Sequence, residues 1–500
     1  MNWSSSLLLI FLSIAIGLIS VLQFTATTIH DVKSHVTASE AFQISIQEFM
    51  SPKPTNLDQK LIIAAQHAKE ANDLLPDIQK QSHPTTASDL SDRPDYYMVF
   101  SSSCSPQQHW ESLVFFYHAF KVGQPGNVTR ILSGCNDQEK EEVDDFFAKY
   151  IQPMSPRFHL HHTQDYGTVQ RNKGTQYYKY MNKPFGLRDW MEKALGVSEN
   201  KEMDSDLADS IIMLLDPDMV LLRPLVHDFT NEDVEFVEIE PVTKVVKTGF
   251  PIAQQDGYLN SKWVQHDFSF VTGKEQGDFI PPPPAKDGPL HWNSGPPYLA
   301  TVADMHQIAI KWTEYAPKVL EIQDDIFAEM VGLIIATVQL ERPFTFIRSL
   351  VVSTTESVDR EGWSYIDALP DDQVCRPAAS SRLPVGLHYC KRYMLGKWFF
   401  SKYRLKKNIM NCDKALLMPP SPDINYLDFE YADVPPRADL RKIHEAPVKL
   451  SQKRAKREAF MLCGMMNAVN EALRYHKQQK CGVDANLEET YSIHNDPTNF

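Results

Sequence analysis

The stretch Ile211-Ile-Met-Leu-Leu-Asp-Pro-Asp-Met-Val-Leu-Leu222 sets two carboxylates into an otherwise apolar run. The first five residues are too short for a typical helix and carry no polar face, so they read as a buried strand. Pro217 ends regular pairing and favours a turn. Asp216 and Asp218 therefore sit just past the carboxyl end of a buried strand. A carboxylate there needs a hydrogen-bond donor, a cation or a metal to offset its desolvation. Asp-x-Asp in this setting suits a hard divalent ion, which takes oxygen ligands and keeps positions open for substrate phosphates.

The segments upstream give this strand its neighbours. Tyr96–Ser101, Arg130–Leu132 and Phe158–His161 read as strands. His109–Val122 and Phe185–Leu195 read as helices between them. Strands alternating with helices predict an α/β architecture, a Rossmann-like, doubly wound and mostly parallel sheet. Ligands in such sheets bind beyond the carboxyl ends of the strands, where Asp216 and Asp218 fall. Downstream, His291–Ala303 reads as a strand region and Glu321–Ala336 as a helix opened by Gln323-Asp-Asp-Ile-Phe327. Pro281–Pro284 stiffens a loop between Gly277 and Gly288. Leu450–Lys480 reads as a long amphipathic helix with Phe460, Cys463, Met466, Asn467, Val469, Asn470 and Leu473 along one stripe, a packing surface.

The chain has 500 residues, 43% of them hydrophobic, and a net charge of −14. That supplies a substantial core and disfavours nucleic acid as partner, since phosphate backbones need a basic surface. The run Leu7–Phe24 carries no charge and spans about 27 Å as a helix, close to a bilayer core. A cleaved signal peptide and an uncleaved signal anchor both fit. The poor cleavage site Phe24-Thr-Ala26 favours the anchor. The expected organisation is a short cytoplasmic tail (1–6), a signal-anchor helix (7–24), a polar stem (25–92), a catalytic domain (93–425) and a C-terminal helical extension (426–500). The body would then face the lumen of the Golgi or endoplasmic reticulum. Seven cysteines fit an oxidising compartment with one left over if six pair. Cys463 and Cys481 fall on one helix about 27 Å apart and cannot pair with each other. Asn127-Val-Thr129 is a glycosylation sequon expected in a surface loop.

Further motifs extend the acid pair. Trp292-Asn-Ser-Gly295 precedes a strand-like segment, and Leu387-His-Tyr389 leads to Leu395-Gly-Lys-Trp398. This order resembles the A-type glycosyltransferase fold. The resemblance extends to hydroxyproline O-arabinosyltransferases and peptidyl-serine α-galactosyltransferases. It rests on Phe100-Ser-Ser-Ser-Cys-Ser-Pro-Gln-Gln-His-Trp110, Asn182-Lys-Pro-Phe-Gly-Leu-Arg-Asp-Trp190, Leu214-Leu-Asp-Pro-Asp-Met-Val-Leu-Leu-Arg-Pro224, Pro251-Ile-Ala-Gln-Gln255 and Leu387 through Lys402.

The resemblance implies a metal-dependent transferase that moves a sugar from a UDP-sugar, with retention, to a Ser or hydroxyproline hydroxyl of a secreted protein. It implies Asp216, Asp218 and His388 as metal ligands, with Mn²⁺ favoured over Mg²⁺ by the imidazole. Lys397 would face the departing diphosphate, beside Gly396 and Trp398. Ser101, Ser102 and Ser103 would receive the nucleotide. Asn182, Lys183 and Arg188 would touch nucleotide or phosphate, with helix capping or surface charge as the other reading. Trp292, Asn293 and Gly295 would line the sugar. Asp324 or Asp325 would bind its hydroxyls, with Glu329 an outside candidate. A haloacid-dehalogenase-type phosphatase and a membrane-anchored lectin-like scaffold are the alternatives. The former expects Thr or Ser after the second acid, where Met219-Val220 stands.

Overall fold

A computed structural model describes residues 95–238, 242–256, 259, 261–275, 292–356, 360–433 and 446–493. The expected anchor and stem and the Pro281–Pro284 loop lie outside the described residues.

The central sheet is built around β1 (Tyr96–Ser103). β1 pairs in parallel with β2 (Asn127–Ser133) on one side and with β6 (Ile211–Leu215) on the other. β2 pairs in parallel with β3 (Phe158–Thr163). A small hairpin, β4 (Thr168–Arg171) and β5 (Gly174–Tyr177), follows β3. Beyond β6 lie β9 (Ser294–Thr301), β8 (Ile252–Gln255) and β10 (Thr345–Ile347), giving the order β10-β8-β9-β6-β1-β2-β3. β9 alone runs against its neighbours β6 and β8. The expected doubly wound, mostly parallel sheet is present.

Every residue of β6 is buried, because the sheet is covered on both faces. Its side chains alternate between two cores. Ile211, Met213 and Leu215 join the cluster holding Met98, Phe100 and helix α1 (Pro106–Lys121). Ile212 and Leu214 join the cluster holding Val99 and helices α3 (Asn182–Ala194), α4 (Val302–Ile322) and α5 (Ala328–Gln339). Period-two alternation explains how one short apolar run feeds both layers. Helix α2 (Asp137–Phe146) lies between β2 and β3 in sequence and opens on a capping box from Asn136 and Glu139.

Two expectations about helices change. Glu321–Ala336 is not one helix. α4 ends at Ile322, where Gln323 turns extended (φ −120°, ψ 92°), and Asp325 Oδ1 accepts the Phe327 amide at 2.8 Å. That local side-chain bond competes with the helical ladder. α4 and α5 then pack so closely that a Cβ on Gly332 would lie 2.9 Å from Ala316 Cα.

The expected C-terminal extension contains helix α6 (Gln452–Cys481). It contacts α1, the short helix Trp363–Ala368 and the hairpin of β13 (Tyr393–Leu395) and β14 (Trp398–Phe400). The expected stripe is buried except for half-buried Asn467, and Arg457, Met461 and Ala468 on the opposite side are buried as well. α6 is therefore core. Disulfides join Cys375 to Cys463, Cys412 to Cys481 and Cys104 to Cys135, leaving Cys390. The sequon is also displaced. Asn127 heads β2 half-buried, with Oδ1 3.3 Å from His159 Nε2, and Thr129 is buried, because the turn before β2 ends one residue earlier.

Candidate metal and nucleotide-sugar site

β6 ends at Leu215, and the chain turns through Asp216-Pro-Asp218 into β7 (Met219–Leu221). β7 pairs antiparallel with β12 (Gly386–His388), whose other edge holds β11 (Val351–Val352). The register sets His388 opposite Met219, and the Tyr389 amide donates to Asp218 O at 3.0 Å. Sheet pairing thus delivers the imidazole to the acid pair across a long stretch of sequence.

His388 Nε2 lies 3.3 Å from Asp218 Oδ1 and 3.8 Å from Asp216 Oδ2. One ligand atom from each of the three residues lies within 4.8 Å of the other two. Two carboxylates and an imidazole at this spacing could hold one divalent cation. The remaining oxygens are held by lysines. Lys183 Nζ is 2.9 Å from Asp216 Oδ1 and 3.1 Å from Glu329 Oε1. Lys402 Nζ is 2.6 Å from Asp218 Oδ2.

Electrostatics follow from these pairs. Burial works to raise the Asp218 carboxyl, but Lys402 and then His388 outweigh it and hold it far below the usual range. Burial works to lower Lys402, and Asp218 and Glu111 push it up instead. Lys183 is raised against the same penalty by Asp216 and Glu329. Burial raises Glu329, opposed by Lys183.

Glu111 on α1 is a second buried acid, 1% exposed, accepting from Gln107 at 3.1 Å. Burial pushes it up to about 7, against the pull of Lys402. An acid whose folded pKa is raised costs nothing below its unfolded value and destabilises progressively as pH climbs to the folded one. The window here runs from the ordinary value of 4.5 to about 7. Glu111→Gln should therefore gain stability relative to the parent chain as pH rises through it, by on the order of 3 kcal/mol at the top. Urea unfolding of both proteins at pH 5 and pH 8 checks the sign. A relative stability independent of pH contradicts it.

The other sequence candidates divide. Ser101, Ser102 and Ser103 end β1. Ser102 Oγ accepts from Arg130 Nε at 2.7 Å, Ser103 O accepts from the same guanidinium at 3.1 Å, and Ser101 Oγ donates to Asn182 O at 3.4 Å. Asn182 is a loop tie. Its Oδ1 accepts the Tyr166 amide at 2.6 Å and its Nδ2 donates to Asp165 at 3.0 Å. Asn293 is fully buried, donating to Leu259 O at 2.7 Å and accepting from Trp263 Nε1 at 2.9 Å. Trp292 is half-buried beside it. Gly295 faces Asp256 so closely that a Cβ would sit 3.2 Å from the Asp256 Cβ.

Four candidates are placed differently from their expected roles. Arg188 pairs with Glu192 at 2.7 Å and Glu199 at 3.0 Å and donates to Thr313 Oγ1 of α4 at 3.2 Å. Asp324 is exposed and pairs with Arg171 of the β4–β5 hairpin at 2.8 Å. Asp325 caps the break before α5. Lys397 is exposed in the two-residue turn between β13 and β14, where Gly396 takes a left-handed φ of +53°. Trp398 starts β14, half-buried against the core.

The structure brings Lys402 and Glu329 to the acids in their place. Lys402 lay at the end of the quoted Leu387–Lys402 motif. Glu329 was the outside candidate among the sequence's acids, and Glu111 was signalled only by being an acid inside an apolar helical pattern.

No family model matches the chain. Over 395 residues it is 22% identical to the peptidyl serine α-galactosyltransferase of Arabidopsis thaliana. The chain is similar in sequence to that transferase. The match takes in 78% of this chain and 39% of the galactosyltransferase, so the chain spans about two fifths of the length of its curated relative. Among solved structures, galactosyltransferase LgtC in complex with donor and acceptor sugar analogues is 10% identical with a TM-score of 0.33, covering 59% of this chain and 87% of LgtC. The apo form of the glycosyltransferase GlyE of Streptococcus pneumoniae is 12% identical with a TM-score of 0.30, covering 60% and 55%.

Proposed function

We propose that the chain is a metal-dependent glycosyltransferase that moves a sugar from a UDP-sugar to a Ser or hydroxyproline hydroxyl of a secretory-pathway protein, with retention at the anomeric carbon. The observation that carries this reading is the Asp216–Asp218–His388 group at the carboxyl end of β6, flanked by Lys183 and Lys402. The relationship to a peptidyl serine α-galactosyltransferase supports the same reading.

Asp216, Asp218 and His388 would hold the cation. When bound it supplies Lewis-acid stabilisation to a departing diphosphate. The protein's own part is electrostatic. Lys183 and Lys402 fix positive charge beside the carboxylates, where buried dipoles and charges act more strongly than in water. Glu329 and Glu111 stand next to those lysines and restrain them. The half-buried Trp292 and the β1 end with its serines offer an aromatic face and hydroxyls for sugar and nucleotide. Three disulfides support an oxidising, secretory compartment. The apolar run Leu7–Phe24 supports a type II Golgi or endoplasmic-reticulum membrane anchor; among the described residues no helix is long and apolar enough to span a bilayer.

The test is UDP release by the purified chain with Mn²⁺, a panel including UDP-galactose and UDP-arabinofuranose, and Ser- or hydroxyproline-containing peptides. Release that depends on both metal and peptide is expected with one donor. Sugar or peptide binding with no UDP release from any donor would instead favour the lectin-like scaffold.

A further inference from the structure

Each aspartate of the site divides its two oxygens in the same way. Asp216 gives Oδ1 to Lys183 at 2.9 Å and turns Oδ2 toward His388 at 3.8 Å. Asp218 gives Oδ2 to Lys402 at 2.6 Å and turns Oδ1 toward His388 at 3.3 Å. We propose that Lys183 and Lys402 form a selectivity device, restricting each aspartate to one oxygen toward a cation, so that the site takes Mn²⁺ or Mg²⁺ and discriminates against Ca²⁺. This inference rests on the metal reading given above and adds to it which ion is refused and which residues refuse it.

The physical ground is coordination number. Ca²⁺ takes six to eight oxygens and commonly recruits both oxygens of a carboxylate. Mg²⁺ and ions of similar size are content with one or two carboxylate oxygens plus water and phosphate. With one oxygen of each acid engaged by an ammonium group, three protein donors remain, one of them an imidazole nitrogen that suits Mn²⁺ and not Ca²⁺. The lysines are held in place for this role. Lys183 is anchored on its far side by buried Glu329 at 3.1 Å. Lys402 is held at 2.6 Å from Asp218, with its side chain 14% exposed. Neither ammonium group can swing away without leaving a buried carboxylate uncompensated. Residues behind a ligand that orient it commonly change metal affinity by about 10–100-fold when removed.

The experiment measures Mn²⁺ binding to the full chain by electron paramagnetic resonance of the free ion, and Ca²⁺ binding by competition. The readout is the ratio of the two dissociation constants. Both ions carry two charges, so the loss of a lysine's charge shifts both affinities and cancels in the ratio, whereas release of a carboxylate oxygen does not. The wild-type chain should prefer Mn²⁺ by about 100-fold or more, and Lys402→Met should narrow that preference by about tenfold. Lys402→Arg, which keeps a donor for Oδ2, should retain it. Lys183→Met carries the same prediction at Asp216 if Lys402→Met does not give a cooperative thermal transition. An unchanged ratio in a folded Met variant overturns the device and leaves the metal site standing. Absence of Mn²⁺ binding to the wild-type chain, with or without UDP, overturns both.

Discussion

Asp218→Asn is expected to lower sugar transfer by about 10³-fold or more and to destabilise the metal-free chain by about 3 kcal/mol. The side chain is 7% exposed and engages His388 through Oδ1 and Lys402 through Oδ2. Asparagine matches its volume but not its charge. Lys402 and His388 would then be buried cations without their anion, the configuration that makes half-broken ion pairs costly. The activity loss has a separate origin. Metal stabilisation of a leaving phosphate contributes several kcal/mol, and each 1.36 kcal/mol is a factor of ten in rate. UDP release, Mn²⁺ affinity and urea unfolding of the same preparation separate the two effects.

Asp324→Asn is the matched control. Its carboxylate is 54% exposed and pairs at 2.8 Å with Arg171, whose guanidinium keeps Gln176 and Leu320 O as acceptors when the charge is lost. Turnover should stay within about twofold of the parent. If Asp324→Asn is as crippled as Asp218→Asn, an acid at the α4–α5 break takes part in the transfer. Normal turnover by Asp218→Asn would remove the metal site from the mechanism.

Replacing both Cys375 and Cys463 by alanine should cost about 4–5 kcal/mol, more than opening either of the other two disulfides of the described residues, which close 31 and 69 residues. The bridge closes 88 residues of chain, and closure entropy in the unfolded state grows with the logarithm of that length. Its far end, Cys463, lies in the middle of α6 at 1% exposure. The effect should reach the site. Glu458, one turn earlier on α6, accepts the Met394 amide at 2.9 Å and Thr355 Oγ1 at 2.7 Å. Met394 belongs to β13, the strand that follows β12 and its His388 after the connection 389–392, which turns the chain back. A loosened α6 should thus weaken Mn²⁺ binding as well as lower the urea midpoint. A double variant that unfolds like the parent, or that loses stability without any change in metal affinity, would show that α6 does not brace this turn.

The sequence was legible where local pattern and burial agree. β1, β2, β3 and β6, with α1 and α3, fall where apolar alternation and helical spacing predict them, because both faces of the sheet demand the pattern. The break between α4 and α5 was not legible, since the apolar spacing of Glu321–Ala336 continues through it while a single Asx-type bond at Asp325 ends the helix. The burial of α6 on nearly all sides was hidden for a different reason. Its polar residues Glu458, Lys456 and Arg457 find partners in distant segments: Thr355 for the first, Asp367 for the other two, and no one-dimensional pattern lists partners.

The same division runs through the site. Asp216 and Asp218 were determined by the sequence alone, because two acids ending a fully apolar strand have few inexpensive explanations. His388 came with its motif. What only the tertiary structure decided is which cations stand beside them. Lys397 and Lys402 lie five positions apart in one basic, aromatic segment, and only the family resemblance prefers the first. The β13–β14 turn exposes Lys397, and the chain re-entering after Phe400 carries Lys402 to Asp218. A charge is assigned to a site by the path of the backbone through space, and that path depends on long-range strand pairing and on the helix packed behind it.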